Sequence, residues 1–229
     1  MNLLNSSTSI AQLTQRGLTL KTIQHFHLGW NPTTLFQPRT TWGLSEEIKE
    51  NGNPRKLWLP KGIVIPSFKK TIPMKIKIRR DNWTKQDPLP KYIEVSGSKP
   101  SPTIYGDTTK PIIIVESELD AILAQQEASH LVCSVALGGV SKKPDAKLDT
   151  ILRQAPLILL SLDFDEAGKK HCAFWMRQYS NLRLWPCPFT KSLGDAFQTS
   201  PANLIRRPPF LKNKVLNTSL TIPLAVCRL

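Results

Sequence analysis

"PLILLSLDFDEAGKK", residues 156–170, decides the fold. Leu157 to Leu160 is an unbroken apolar run, and Leu162 extends it past Ser161. That is the pattern of a strand buried on both faces, as in a parallel sheet. The run ends on Asp163 and Asp165. Residues two apart in an extended chain point to one side, so both carboxylates leave the sheet together at the carboxyl end of a strand. Open α/β sheets bind their ligands there. Gly168, Lys169 and Lys170 follow at the start of a predicted helix. Two neighbouring carboxylates repel unless a cation sits between them. A hard divalent ion with oxygen ligands, such as Mg²⁺, is the simplest resident.

Upstream, "KPIIIVESELDAILAQQ" repeats the layout, with a buried strand over Ile112 to Val115 ending on Glu116 and running into a helix. From there the chain alternates. Strands are predicted over 112–116, 131–137, 157–163 and in "LRLWPC", with helices over 118–128, about 145–153 and 166–179. Such a β-α-β-α-β-α-β run marks an α/β domain, a parallel sheet with helices on both faces. "KSLGDAF" closes it and places Asp195 on a loop or a first helical turn.

The 229 residues allow one or two domains with a sizeable core, and 40% hydrophobic content argues against disorder throughout. No apolar run is long enough to span a membrane, and "MNLLNSSTSIAQ" lacks the basic and apolar regions of a signal peptide, so a cytoplasmic protein is expected. Cys133, Cys172, Cys187 and Cys227 are too far apart for a zinc half-site, and the four histidines do not complete one, so no zinc is expected.

The net charge of +14 is unevenly placed. Residues 1–110 hold 17 basic and 7 acidic side chains, residues 111–200 hold 9 and 10, and residues 201–229 hold 5 and none. The positive charge thus lies outside the segment with the acids. That suits a polyanion steered onto a metal site, and a solubilising surface is the alternative.

Within the basic part, Thr19 is the expected N-cap of a short helix that Gly29 would stop. Residues 31–56 read as a connection with a short helix at Leu44 to Glu50. "GIVIPSF", "MKIKIRR" and "KYIEV" read as antiparallel strands. The alternation in the second puts Lys75, Lys77 and Arg79 on one face, expected to be wet, and Ile76 and Ile78 toward the core. That basic face, with Trp83 and Tyr92 nearby, either binds nucleic acid or is a half-exposed sheet. Residues 96–110 read as a loop and the domain boundary, and residues 201–229 as a poorly ordered basic tail.

"IIIVESELDAI", "LSLDFDEAGKK" and "KSLGDAF" resemble, in combination and order, the motifs of a TOPRIM domain, which topoisomerases, DnaG-type bacterial primases and some nucleases share. The first half resembles the primase branch, through "RGLTLKTIQHFHLGWNP", "GIVIPSF" with "IKIRR", and "LPKYIEVSGSK" with "IYG". The resemblance covers roughly residues 15 to 198. It implies a basic primase-core-like subdomain over 1–106 and a TOPRIM domain over 107–200.

It further implies a metal-dependent enzyme that joins ribonucleotides into short primers on single-stranded DNA with Mg²⁺ or Mn²⁺. Its partners would be a DNA template and NTPs, with a replicative helicase or a separate zinc-module protein as further possibilities. Glu116, Asp163 and Asp165 would be catalytic and hold the metal, with Glu116 alternatively a general acid or base. Asp120 and Asp195 would join the metal set. Ser117-x-x-Asp120 also reads as a helix-capping pair, and both readings of Asp120 stand. Arg79 or Arg80, Lys91 and Lys99 would line the nucleic-acid groove, and Lys191 would contact a phosphate. Ser192 stands where the third motif usually has an acid directly after its lysine. A TOPRIM nuclease and a truncated primase that only binds nucleic acid are the alternatives.

Overall fold

A computed structural model describes residues 6–139, 141–163, 166–187 and 190–199, with only the backbone for 166–170. The expected tail 201–229, Asp165, and the side chains of Lys169 and Lys170 lie outside the described residues. The chain divides into two units, one of residues 1–14 and 19–100, the other of residues 15–18 and 101–229.

The first unit is built on an antiparallel sheet of β1 (Gly29–Asn31), β4 (Gly62–Lys69), β5 (Ile72–Arg80) and β6 (Tyr92–Glu94), in the order β1-β4-β5-β6. One face carries Val64, Ile76 and Ile78 and packs against Leu35, Leu57 and Leu59 of a ribbon made of β2 (Leu35–Pro38) and β3 (Lys56–Leu59). The other face follows from register. Ile63 pairs with Arg79, Ile65 with Lys77 and Ser67 with Lys75, so the three basic residues do share a face.

That face is not wet. Lys75 and Lys77 are each 4% exposed, and Ile63 and Ile65 beside them are buried. Helix α1 (Ser7–Gln15) supplies part of the cover, since Gln12 accepts a hydrogen bond from Arg79 Nη1 and donates one to Asp81. The sheet has isoleucines on both faces, so both need cover, and lysine stems are apolar enough to serve as part of a core wall. Period-two alternation reports which residues share a face; it does not report what lies on top.

Thr19 caps α2 (Leu20–His25), its hydroxyl accepting from the Thr22 N–H. The helix stops at His25, before the expected Gly29. Phe26 is its C-cap, His27 takes a left-handed φ of 51°, and Gly29 opens β1. The helix expected over Leu44 to Glu50 is absent. A short 3₁₀ turn at Thr40–Trp42 precedes extended chain, where the Arg39 guanidinium binds the Ser45 carbonyl and the Glu47 carboxylate.

The second unit is a five-stranded sheet in the order β11-β10-β8-β9-β7. Its strands are β7 (Thr103–Tyr105), β8 (Ile112–Val115), β9 (Cys133–Ala136), β10 (Ile158–Leu160) and β11 (Leu182–Leu184). The last four are parallel. β7 lies within the segment expected to be loop and pairs antiparallel to β9, so the sheet is mixed. Three residues are too few for alternation to register, and an antiparallel edge strand on a parallel sheet is common.

Helices α3 (Glu118–Ala128), α4 (Ala146–Gln154) and α5 (Glu166–Gln178) fall where the sequence predicts them. β8, unbroken in its apolar run, and β9, whose one polar residue is Ser134, are both fully buried. Ile112, Ile114, Cys133, Val135, Ile158 and Leu160 form one face with Leu148 and Leu152 of α4, Trp175 of α5 and Tyr179 just beyond it. α3 covers the opposite face, where the Ser134 hydroxyl donates to the Ala121 carbonyl.

Right-handed crossovers dictate this division. The chain steps from β8 to β9 in one direction, then returns past β8 to β10 and on to β11. The first crossover helix therefore lies on one face and the next two lie on the other. The strand order reverses between β8 and β10, which makes their carboxyl ends a topological switch point.

Candidate functional site

Glu116 and Asp163 stand at that switch point. β8 and β10 pair in register, Ile114 opposite Leu160, and the Ser161 N–H still donates to the Ile114 carbonyl. The ladder then changes hands: the Asp163 N–H donates to Glu116 Oε1 at 3.0 Å. The two acids are thus brought together. Asp163 is accessible, with 21% of its side chain exposed, and Lys191 Nζ lies 3.3 Å from its carboxylate. Lys191 itself is half exposed, able to turn toward solvent.

Asp120 is placed differently. Ser117 is the N-cap of α3, its hydroxyl accepting from the Asp120 N–H and donating back to Asp120 Oδ2, so the capping geometry is present. The other carboxylate oxygen receives Arg16 Nη2 at 3.1 Å and the Gly194 N–H at 2.9 Å. The Asp120 side chain is only 6% exposed. Gly194 belongs to α6 (Leu193–Thr199), whose first turn carries Asp195 as the sequence predicts. Asp195 is half-buried, and its carboxylate is 3.9 Å from Arg16 Nη1.

The acids therefore form two groups. The Glu116 carboxylate holds the Asp163 N–H, and the Asp163 carboxylate meets Lys191; Asp120 and Asp195 meet Arg16. The groups are close enough to share a field. Burial pushes the Cys187 thiol up, a hydrogen bond with Thr190 opposes, and the carboxylates of Asp120, Asp195 and Asp163 add to the rise. Among the described residues no three acid, histidine or cysteine side chains converge on one point. Arg16 is the residue the sequence reading missed. Its partner lies 104 positions away, and only the Arg-Gly pair opening the helix motif marked the place.

In the first unit, Arg79 bonds Gln12, and its buried Nε has no acceptor among the described residues. Arg80 is committed to its own loop. It binds Asp87 at 2.7 Å and the carbonyls of Leu89 and Pro90, with its guanidinium 5.7 Å from the Trp58 ring centre. Lys91 lies over Trp83, also at ring-contact distance. Lys99 is exposed, and its N–H continues the edge of β5 by donating to the Met74 carbonyl.

A pair of oxygen-donor acids at a switch point, with a half-exposed ammonium beside one of them, is an arrangement whose chemistry suits a divalent ion and a phosphate. No protein-family model matches the sequence, and no curated protein matches it. Solved structures do match the fold. The zinc-binding and RNA polymerase domains of Aquifex aeolicus primase are 17% identical, with a TM-score of 0.58, over 89% of this chain and 56% of that one. The RNA polymerase domain of Mycobacterium tuberculosis primase DnaG is 16% identical, with a TM-score of 0.62, over 90% of this chain and 78% of that one. A DnaG primase catalytic domain bound to single-stranded DNA is 16% identical, with a TM-score of 0.59, over 86% of this chain and 72% of that one. The chain thus has the fold of DnaG-type primase catalytic cores and spans little more than half of the two-domain Aquifex chain.

Proposed function

We propose that the chain is a primase-like nucleotidyltransferase that joins ribonucleotides on a single-stranded DNA template, with its second unit a TOPRIM domain. The observation that carries the reading is the junction of Glu116 and Asp163 at the switch point between β8 and β10, in a fold matched by primase cores over 90% of the chain.

The donor set fits Mg²⁺ or Mn²⁺. Carboxylate oxygens are the ligands hard divalent ions take, and Asp163 already holds one cation, the Lys191 ammonium. Glu116 and Asp163 would hold the ion, with Asp165 of the same D-x-D. When bound, it would polarise a phosphate and favour attack by a 3′-hydroxyl. Lys191 can leave Asp163 for a phosphate oxygen, keeping the charge balanced as substrate enters. Asp195 faces solvent and is free to extend the acidic set. Asp120, saturated by Arg16, Ser117 and Gly194, serves by holding α6 in place.

Arg79, with its unspent donor, and Lys91 and Lys99 would track the phosphate backbone, while Arg80 shapes the loop beside them. NTPs and single-stranded DNA are the partners this requires; a helicase or a separate zinc-module protein would act alongside. The test is template-dependent incorporation of labelled NTPs by the wild type, and its loss in Asp163→Asn.

A further inference from the structure

We propose that the β2–β3 ribbon of the first unit carries a base-stacking strip for single-stranded nucleic acid, running from Phe36 through Trp58 to Trp83. Phe36 and Trp58 are direct cross-strand partners, so their rings share the outer face of the ribbon. The inner face holds Leu35, Leu57 and Leu59 in the core. Phe36 is 62% exposed, and Trp58 is half-buried. The Arg80 guanidinium lies over Trp58 and donates to the Leu89 carbonyl at 3.1 Å. The Trp83 indole N–H donates to that same carbonyl at 2.8 Å. Lys91 Nζ then lies 5.8 Å from the Trp83 ring centre. Two paired rings, Phe36 and Trp58, are thus linked through Arg80 to Trp83 and Lys91.

At the Phe36 end the strip opens into a cleft of about 380 Å³, lined by Phe36, Lys49, Asn53, Pro54 and Lys56. The chemistry of this surface selects its occupant. An apolar partner would have to desolvate Lys91 beside Trp83 and two lysines at the cleft. A duplex hides its bases from rings. A single strand offers both what rings take, the π-faces of its bases, and what lysines take, its phosphates. Residues 1–110, which contain the strip, hold 17 basic side chains against 7 acidic. The inference rests on the nucleic-acid reading above, meets it at Arg80 and Lys91, and extends it to Phe36 and Trp58 of the ribbon.

The experiment is fluorescence anisotropy of the full chain with labelled oligodeoxythymidylate of about sixteen nucleotides and with an abasic oligomer of equal length. The wild type should prefer the base-bearing oligomer. Phe36→Ala should weaken that binding roughly 5- to 100-fold while leaving the salt slope unchanged, as loss of one stacked base would. Lys56→Gln should instead flatten the slope by about 0.7. Phe68→Ala removes an exposed ring from the far end of β4 and should change nothing. Phe36 is exposed, so its variant should melt with the wild type. If Phe36→Ala binds like the wild type and keeps the preference for bases, the strip is wrong, and the primase-like reading stands. If the wild type binds neither oligomer at low salt, both fall.

Discussion

Asp163 is the residue on which most of the chemistry turns, and its neighbours make separable predictions. Asp163→Asn should lose most Mn²⁺ binding in a calorimetric titration, because it removes a charged ligand and leaves Glu116 alone among the described acids of that group. Lys191→Met should bind Mn²⁺ at least as tightly as the wild type, since the competing ammonium 3.3 Å from Asp163 is gone, while nucleotide incorporation falls. Equal Mn²⁺ binding by wild type and Asp163→Asn would misplace the site. The thiols give an independent check of packing. Burial first, with the Asp107 carboxylate adding, pushes Cys133 up to about 11. At pH 8, iodoacetamide should label half-buried Cys172 in the folded chain faster than Cys133, which it should reach only on unfolding. At this scale the sequence was informative where the chemistry is local. Ser117 and Asp120 are three apart, so their capping contact could be anticipated. The Arg16 contact to the same Asp120 spans 104 positions, and no local pattern encodes it.

Elements show the same division between local pattern and tertiary cover. Helix α3 ran from Glu118 to Ala128 as expected, because Ser117 caps it and the apolar run is long. The face of β5 carrying Lys75 and Lys77 was expected to be wet, because alternation of lysine and isoleucine usually means one face in water. Isoleucines of the neighbouring β4 on that same face reverse the outcome. Two variants probe how elements are joined. Gly62 has φ 154°, and a Cβ there would lie 2.1 Å from the Arg79 carbonyl oxygen, so Gly62→Ala should cost about 2–4 kcal/mol as β4 and β5 are forced apart. Arg16→Met strands a buried carboxylate and loosens α6, and should cost about 3–5 kcal/mol. Denaturant melts read both. An Arg16→Met chain as stable as the wild type would mean that Asp120 does not depend on the guanidinium.

Across the whole molecule, the charge asymmetry and the β-α alternation were visible in the sequence, and they imply a basic part and, in a separate stretch of chain, an acidic α/β site. The order of the strands was not, since alternation fixes direction and leaves open which strand lies beside which. Yet it is the return of the chain past β8 to β10 that puts Glu116 next to Asp163. This chain covers 56% of the Aquifex aeolicus chain, so activity has to be measured on these 229 residues themselves. The decisive measurement incubates the chain with end-labelled single-stranded DNA, differently labelled NTPs and Mg²⁺ or Mn²⁺, and follows both labels on one gel. A primase-like chain should give new short oligoribonucleotides and an intact template, with neither product nor cleavage from Asp163→Asn. A shortened template without new oligoribonucleotides, or incorporation by Asp163→Asn equal to the wild type, would contradict the primase-like reading.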